Sequence, residues 1–190
     1  DFSLIRQEEL SRLGLLDTDK VISDTDHLYE RHLLHRVFLT FRSEHSRWVI
    51  GKQLIDWGRM RGYSPLDIFN PPSPTDIEPE ERIGFDALTV EYFTGPTNSF
   101  QFIYGPGRDT QETSFGVKYT QKIGTYDWSL VAAKKEKDKT IGIGFDGYIK
   151  GAGFRGEFSY TKNGPERYPR AALGLDYNFP HETYAFFEYF

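Results

Sequence analysis

The chain has 190 residues, with 23 Lys and Arg against 28 Asp and Glu, a formal charge of −5. That mild acidity excludes a general nucleic-acid binder, which needs a basic face, and the absence of cysteine excludes disulfides and thiolate metal sites. No apolar run approaches the roughly 18 residues of a membrane-spanning helix.

What stands out is an aromatic content of 16% combined with a hydrophobic fraction of only 38%. A transmembrane β-barrel reconciles the two, because about half of each strand faces a wet lumen and dilutes the apolar half in any average. An aromatic-rich soluble β-sandwich or barrel is the alternative.

In chain order, residues 1–30 form an acidic, poorly patterned N-terminal stretch with a weak strand at 2–8. Asp17, Asp19, Asp24 and Asp26 alternate there, without the glycine and distal Glu that complete a calcium loop. His32 and His35 lie beside Glu30, with His27 and His45 nearby. Side chains three apart on a strand face opposite ways, so no metal site is expected from them.

Residues 31–190 carry the expected barrel. Strands are predicted at 36–42, 47–53, 88–92, 99–104, 113–121, 126–133, 141–146, 154–160 and 171–178. The period is two: Phe115, Val117 and Tyr119 alternate with Ser114, Gly116 and Lys118, and Trp128 and Leu130 with Ser129 and Val131. A last strand falls at 183–190, where Phe186, Phe187 and Glu188 run together and Glu188 breaks the alternation. The expected fold class is therefore all-β, an antiparallel up-and-down transmembrane β-barrel with about ten or eleven strands in this chain.

Short turns are expected at 43–46, 95–98, 123–125, 150–153 and 179–182. The alternate connections, 55–81, 105–112, 134–139 and 162–169, read as longer or more charged loops. Short turns at one end and long loops at the other is the pattern of outer-membrane barrels. If the short turns lie on the periplasmic side, the last strand ends on the outer side. That arrangement predicts a portion of a larger barrel, with more strands after Phe190.

The polar faces of the strands offer Arg36, Arg42, Arg47, Glu91, Lys118, Asp127, Asp146, Arg155, Glu157 and Asp176 as channel-lining residues. The 55–81 connection is too long for an ordinary turn and is punctuated by Gly and Pro. It reads either as a loop folding inward to restrict the lumen, with Asp56, Trp57, Asp67 and Asn70 at the constriction, or as a surface loop that caps the barrel.

Within this region, Gly51-Lys52-Gln53, Asp56-Trp57-Gly58 and 64–71 (Ser-Pro-Leu-Asp-Ile-Phe-Asn-Pro) resemble a signature of Gram-negative outer-membrane porin-like proteins of the alginate-export-like type. Lys52 stands where the family usually has Arg. The ending 185–190 is similar to an internal strand of such barrels. The resemblance implies an outer-membrane diffusion channel for small solutes or ions, with no catalytic residues and no cofactor. Similar barrels also act as sheaths around electron-transfer proteins.

No Gly-x-Ser-x-Gly elbow or phosphate-binding loop is present, and no nucleophile–base pair can be built, so the chain is not expected to be an enzyme. The expected partners are outer-membrane lipid and small solutes or ions, with no nucleic acid. The alternatives are a lumen protein partner or a homo-oligomer, and a soluble ligand-binding β fold.

Overall fold

The computed structural model describes residues 19–25, 28–71, 82–181 and 183–190, with side chains from Leu34 onward. Two strands, β1 (Asp19–Thr25) and β2 (Leu28–Leu33), pair as a separate antiparallel hairpin. The sequence pattern gave no sign of this hairpin. The expected strand at 2–8 lies outside the described residues.

The remaining strands form one ten-stranded antiparallel sheet in simple up-and-down order. They are β3 (Val37–Arg42), β4 (Ser46–Gln53), β5 (Phe85–Phe93), β6 (Ser99–Gly105) and β7 (Ser114–Ile123), then β8 (Tyr126–Lys135), β9 (Asp138–Ile149), β10 (Ala152–Asn163), β11 (Glu166–Phe179) and β12 (Thr183–Tyr189). The sheet is not closed: β3 and β12 each have a single neighbour within it.

Two of the expected long loops are tight turns instead. The β8–β9 connection is Glu136-Lys137, with Glu136 at φ 54, and the β10–β11 connection is Gly164-Pro165, with Gly164 at φ 56. The Lys-rich run 134–139 misled because its charges sit in strand ends, where Lys135 pairs with Asp138 and Lys134 with Lys139. β9 and β10 thereby reach 12 residues and β11 reaches 14. Long connections remain at 54–84 and 106–113, both at the same end of the sheet.

Register sorts the side chains into two unlike faces. Across β7 to β10 one row reads Tyr119, Leu130, Ile143, Phe158. The adjacent row, on the other face, reads Lys118, Val131, Gly142, Ser159. Leu130, Ile143, Phe158 and Leu173 are all exposed on the first face, together with Trp48, Ile50, Phe102 and Phe115. Across β4 to β11, nothing among the described residues covers this apolar row, and we call it the bare face.

The last strand also alternates. Glu188 pairs with Gly174 and Tyr189 with Leu173, so Tyr184, Phe186 and Glu188 share the polar side with Asp176. The expectation that Glu188 breaks the pattern is corrected: two aromatic residues on the polar side had blurred it.

The buried core is not between two sheets. It lies where the segment after β4 folds back on the polar face, and Ile55, Trp57, Leu66 and Phe69 pack there against Ala87, Ile103 and Val131.

Candidate functional site

The segment from Ile55 to Asn70 runs across the polar face of the sheet and is held at points from β5 to β12. Its apolar anchors are inserted where the sheet has no side chain. A Cβ on Gly116 would lie 2.6 Å from Trp57 and 2.7 Å from Phe69. A Cβ on Gly142 would lie 2.5 Å from Leu66, and one on Gly144 2.9 Å from it. These glycines are sockets for the side chains of the segment. Trp57 meets Phe69 edge-on at 5.1 Å, and Phe69 meets Phe85 at 5.4 Å. Burying each of these side chains stabilises docking by roughly 1.5–3 kcal/mol.

The polar contacts go mainly to backbone groups of the segment, which have no ladder of their own and must find partners when buried. Asp67 Oδ1 accepts the amides of Trp57 (2.9 Å) and Gly58 (2.7 Å). Asn70 Oδ1 accepts from Ile55 N at 2.9 Å, and its amide donates to Ile83 O at 2.7 Å. Glu157, on β10, accepts from Ser64 Oγ at 2.5 Å, Leu66 N at 3.3 Å and Arg59 N. Glu188, on β12, accepts from Arg61 N and Gly62 N, each at 2.8 Å.

Cations from the sheet take the carbonyls. Lys118 Nζ donates to Trp57 O at 3.0 Å, and Lys135 Nζ to Phe69 O at 3.1 Å. Trp57 Nε1 donates to Gln101 on β6. Arg82 bridges two acids, with Nη2 3.4 Å from Asp56 and Nη1 3.6 Å from Asp67. Burial, with the Asp56 charge alongside, pushes the Asp67 carboxyl up to about 7, against the lowering effect of the Gly58 amide and Arg82.

Among the residues expected at a constriction, Trp57, Asp67 and Asn70 are buried and hold the segment in place, whereas Asp56 is exposed. Of the ten expected lining residues, Arg42, Arg47, Glu91, Lys118, Asp127, Asp146, Arg155, Glu157 and Asp176 belong to strands and share the face that carries the segment. Arg36 precedes β3. Several are engaged with one another: Arg47 pairs with Glu91 at 2.7 Å, and Arg155 with Asp176 and, at 3.9 Å, with Asp146. Lys118 and Glu157 are buried beneath the segment.

Sequence reasoning missed Gln101 and Glu188 as partners of the segment and Ser64 as its donor to Glu157, and it missed the Lys52–Asp86 pair. Those two are cross-strand neighbours, 3.4 Å apart and both buried at the root of the segment. Among the described residues, no group of three or more His, Asp or Glu is placed to hold a metal ion. No family model matches the chain, and neither a curated protein nor a solved structure is significantly similar to it.

Proposed function

We propose that this chain forms wall and internal restriction of a β-barrel channel in the outer membrane of a Gram-negative bacterium, passing small solutes or ions. The observation that carries the reading is the bare face. Its exposed rows of Leu, Ile, Phe, Val and Trp run the length of successive strands, far beyond the scattered apolar residues of a soluble surface.

A lipid-facing wall has this composition, with tyrosines near strand ends such as Tyr92, Tyr104, Tyr160 and Tyr177 at the level of the headgroups. Strands of 10 residues in β7 and β8 match the roughly 9–11 residues that a tilted strand needs to cross, and β9 and β10, at 12, are long enough to do so. The opposite face, polar and loaded with the 55–70 segment, then borders the lumen. In hydrocarbon every backbone group needs a partner, so this reading requires β3 and β12 to be paired by further strands in the membrane.

The test is reconstitution of the full polypeptide from native membranes into planar bilayers. Discrete conductance steps are expected. A barrel that inserts but stays silent favours a sheath around a lumen partner, and a chain that is monodisperse without detergent defeats the membrane reading.

A further inference from the structure

We propose that the long-loop end of the bare face docks a lipid whose headgroup carries an anionic phosphate. Its acyl chain lies in a groove over Ala132, and its phosphate meets a row of basic residues on β8 to β11. The inference rests on the membrane reading above and deepens it by naming the lipid that this wall selects.

Register builds the row. Lys134 stands opposite Lys139, Lys139 opposite Lys162, and Lys162 opposite Arg167, so four cations line up across four neighbouring strands. They lie two residues from Ala132, Ile141, Tyr160 and Pro169, which form the adjacent row of the bare face, and so point the same way. Like charges directly opposite one another destabilise a sheet. Among the described residues, Lys139, Lys162 and Arg167 have no ion-pair partner to relieve this. A basic row at the level where a lipid wall meets water finds its counter-charge in anionic headgroups.

The acids at this end are engaged elsewhere. Lys134 Nζ donates to the carbonyls of Thr110 (3.1 Å), Gln111 (3.2 Å) and Thr113 (2.7 Å), which ties the 106–113 loop down beside the row. In that loop Asp109 Oδ1 accepts the amides of Gln111 and Glu112, and Glu112 accepts that of Arg108. Asp138 and Glu166 alternate with the row and belong to the polar face, where Asp138 accepts the Tyr168 hydroxyl. Glu136 and Lys137 carry opposite charges in the turn between β8 and β9.

Beside the row the bare face is hollow. A groove of about 680 Å³ runs over Ala132, with Phe102, Tyr104 and Phe115 on one side, Ile141 and Tyr160 on the other, and Lys134 and Lys139 at its end. An apolar trough that ends in cations has the polarity of a lipid with a negative head. The opposite end of the bare face finishes on Ile123, Tyr126, Ile149 and Phe179, none of them charged, so the selection belongs to one leaflet.

The full polypeptide in a neutral detergent, offered phosphatidylglycerol and phosphatidylethanolamine with identical acyl chains, tests this by native mass spectrometry of the retained lipid. Phosphatidylglycerol should be preferred about tenfold or more, and Lys139→Gln with Lys162→Gln should remove the preference, since each cation near an anionic surface contributes about fivefold. Lys122→Gln with Lys150→Gln, an equal loss of charge away from the row, should leave it unchanged. The row variant loses a like-charge pair, so its thermal stability without lipid should be no lower than wild type, which separates lost docking from lost folding. Ala132→Phe, which fills the groove, should weaken retention. Equal retention of the two lipids, an unchanged preference in the row variant, or an equal loss in the Lys122 and Lys150 variant would overturn the proposal. So would full retention by Ala132→Phe, or displacement of the lipid by inorganic phosphate. A conducting barrel that retains both lipids alike defeats this inference alone, and a silent one that selects phosphatidylglycerol defeats only the channel.

Discussion

Glu157 and Ser64 stand 93 residues apart in sequence and are joined by a 2.5 Å hydrogen bond buried between the sheet and the segment that crosses it. The same carboxylate also takes the amides of Leu66 and Arg59. One strand residue thereby gathers three donors from both limbs of the segment. A buried acid with this many donors organises its surroundings, since each donor would be costly to leave without it.

Glu157→Ala should consequently unseat the segment while leaving the sheet paired. The expected loss is roughly 1.5–3 kcal/mol in segment docking, the range for a hydrogen bond to a charged group. Ser64→Ala should cost less, and the double variant little more than Glu157→Ala alone, because both remove the same interaction. Denaturant titration followed by Trp57 fluorescence, with Trp48 and Trp128 replaced by Phe, measures all three variants. Strict additivity of the two single changes would show that the bond is not energetically coupled.

The glycine sockets give a steric prediction. Gly144→Val forces atoms into the position of the Leu66 side chain, which is 0% exposed and has no space to retreat, and the other atoms nearest that Cβ, Ser129 Oγ and Glu157 Cγ, are side-chain atoms too. Overpacking of this kind costs about 1–3 kcal/mol, and here the segment yields before the sheet, because β-branched residues suit strands. The expected outcome is an intact far-ultraviolet β spectrum with Trp57 newly accessible to acrylamide. A Trp57 that stays shielded would mean Leu66 is not a true anchor.

Much of this fold is legible in the sequence because a half-buried strand writes its period directly into the residue order. Tyr119, Leu130, Ile143 and Phe158 could be placed on one face before any register was known. The errors fall where that signal is overlaid by another. Lys134 to Lys139 reads as a solvated loop because charge dominates the run, yet Lys134 is in strand and donates to Thr113 O at 2.7 Å. Glu188 reads as a break in the pattern because its inward neighbours are Tyr184 and Phe186 rather than polar residues. The 55–81 connection was legible as a long loop, from its length and its Gly and Pro content, but not that it packs on the polar face. Its fastenings were not, since Glu157, Gln101 and Glu188 come from distant strands and look like any other polar-face residues.

The bare face makes a prediction independent of the segment. Leu130 is 52% exposed and Leu173 50%, each in the middle of an apolar row. If that face meets lipid, Leu130→Arg or Leu173→Arg should cost about 2–4 kcal/mol in membrane-inserted stability, the penalty for a cation near the bilayer midplane. In water the same changes would be nearly neutral or improve solubility. Folding yield into liposomes, compared with Thr120→Arg on the opposite face, separates the two cases, and equal tolerance at all three positions would defeat the facing assignment.

The last prediction concerns Asp67, whose carboxyl is raised by burial and by Asp56 to about 7 from an ordinary value of 3.8. Between these values the docked segment holds a proton that the undocked one has released. Docking therefore weakens as pH rises through that window and levels off above about 7. The sign is opposite to that of a salt-bridged carboxylate, which loses stability in acid. Asp67→Asn keeps an oxygen to accept from Trp57 and Gly58 but cannot ionise, so its docking should lose this slope and match wild type toward the acid end. The measurement is the denaturant midpoint of Trp57 fluorescence from about pH 5 to about pH 8. A wild-type midpoint that rises with pH across that range would mean that Arg82 and the two amides outweigh burial, holding Asp67 ionised throughout.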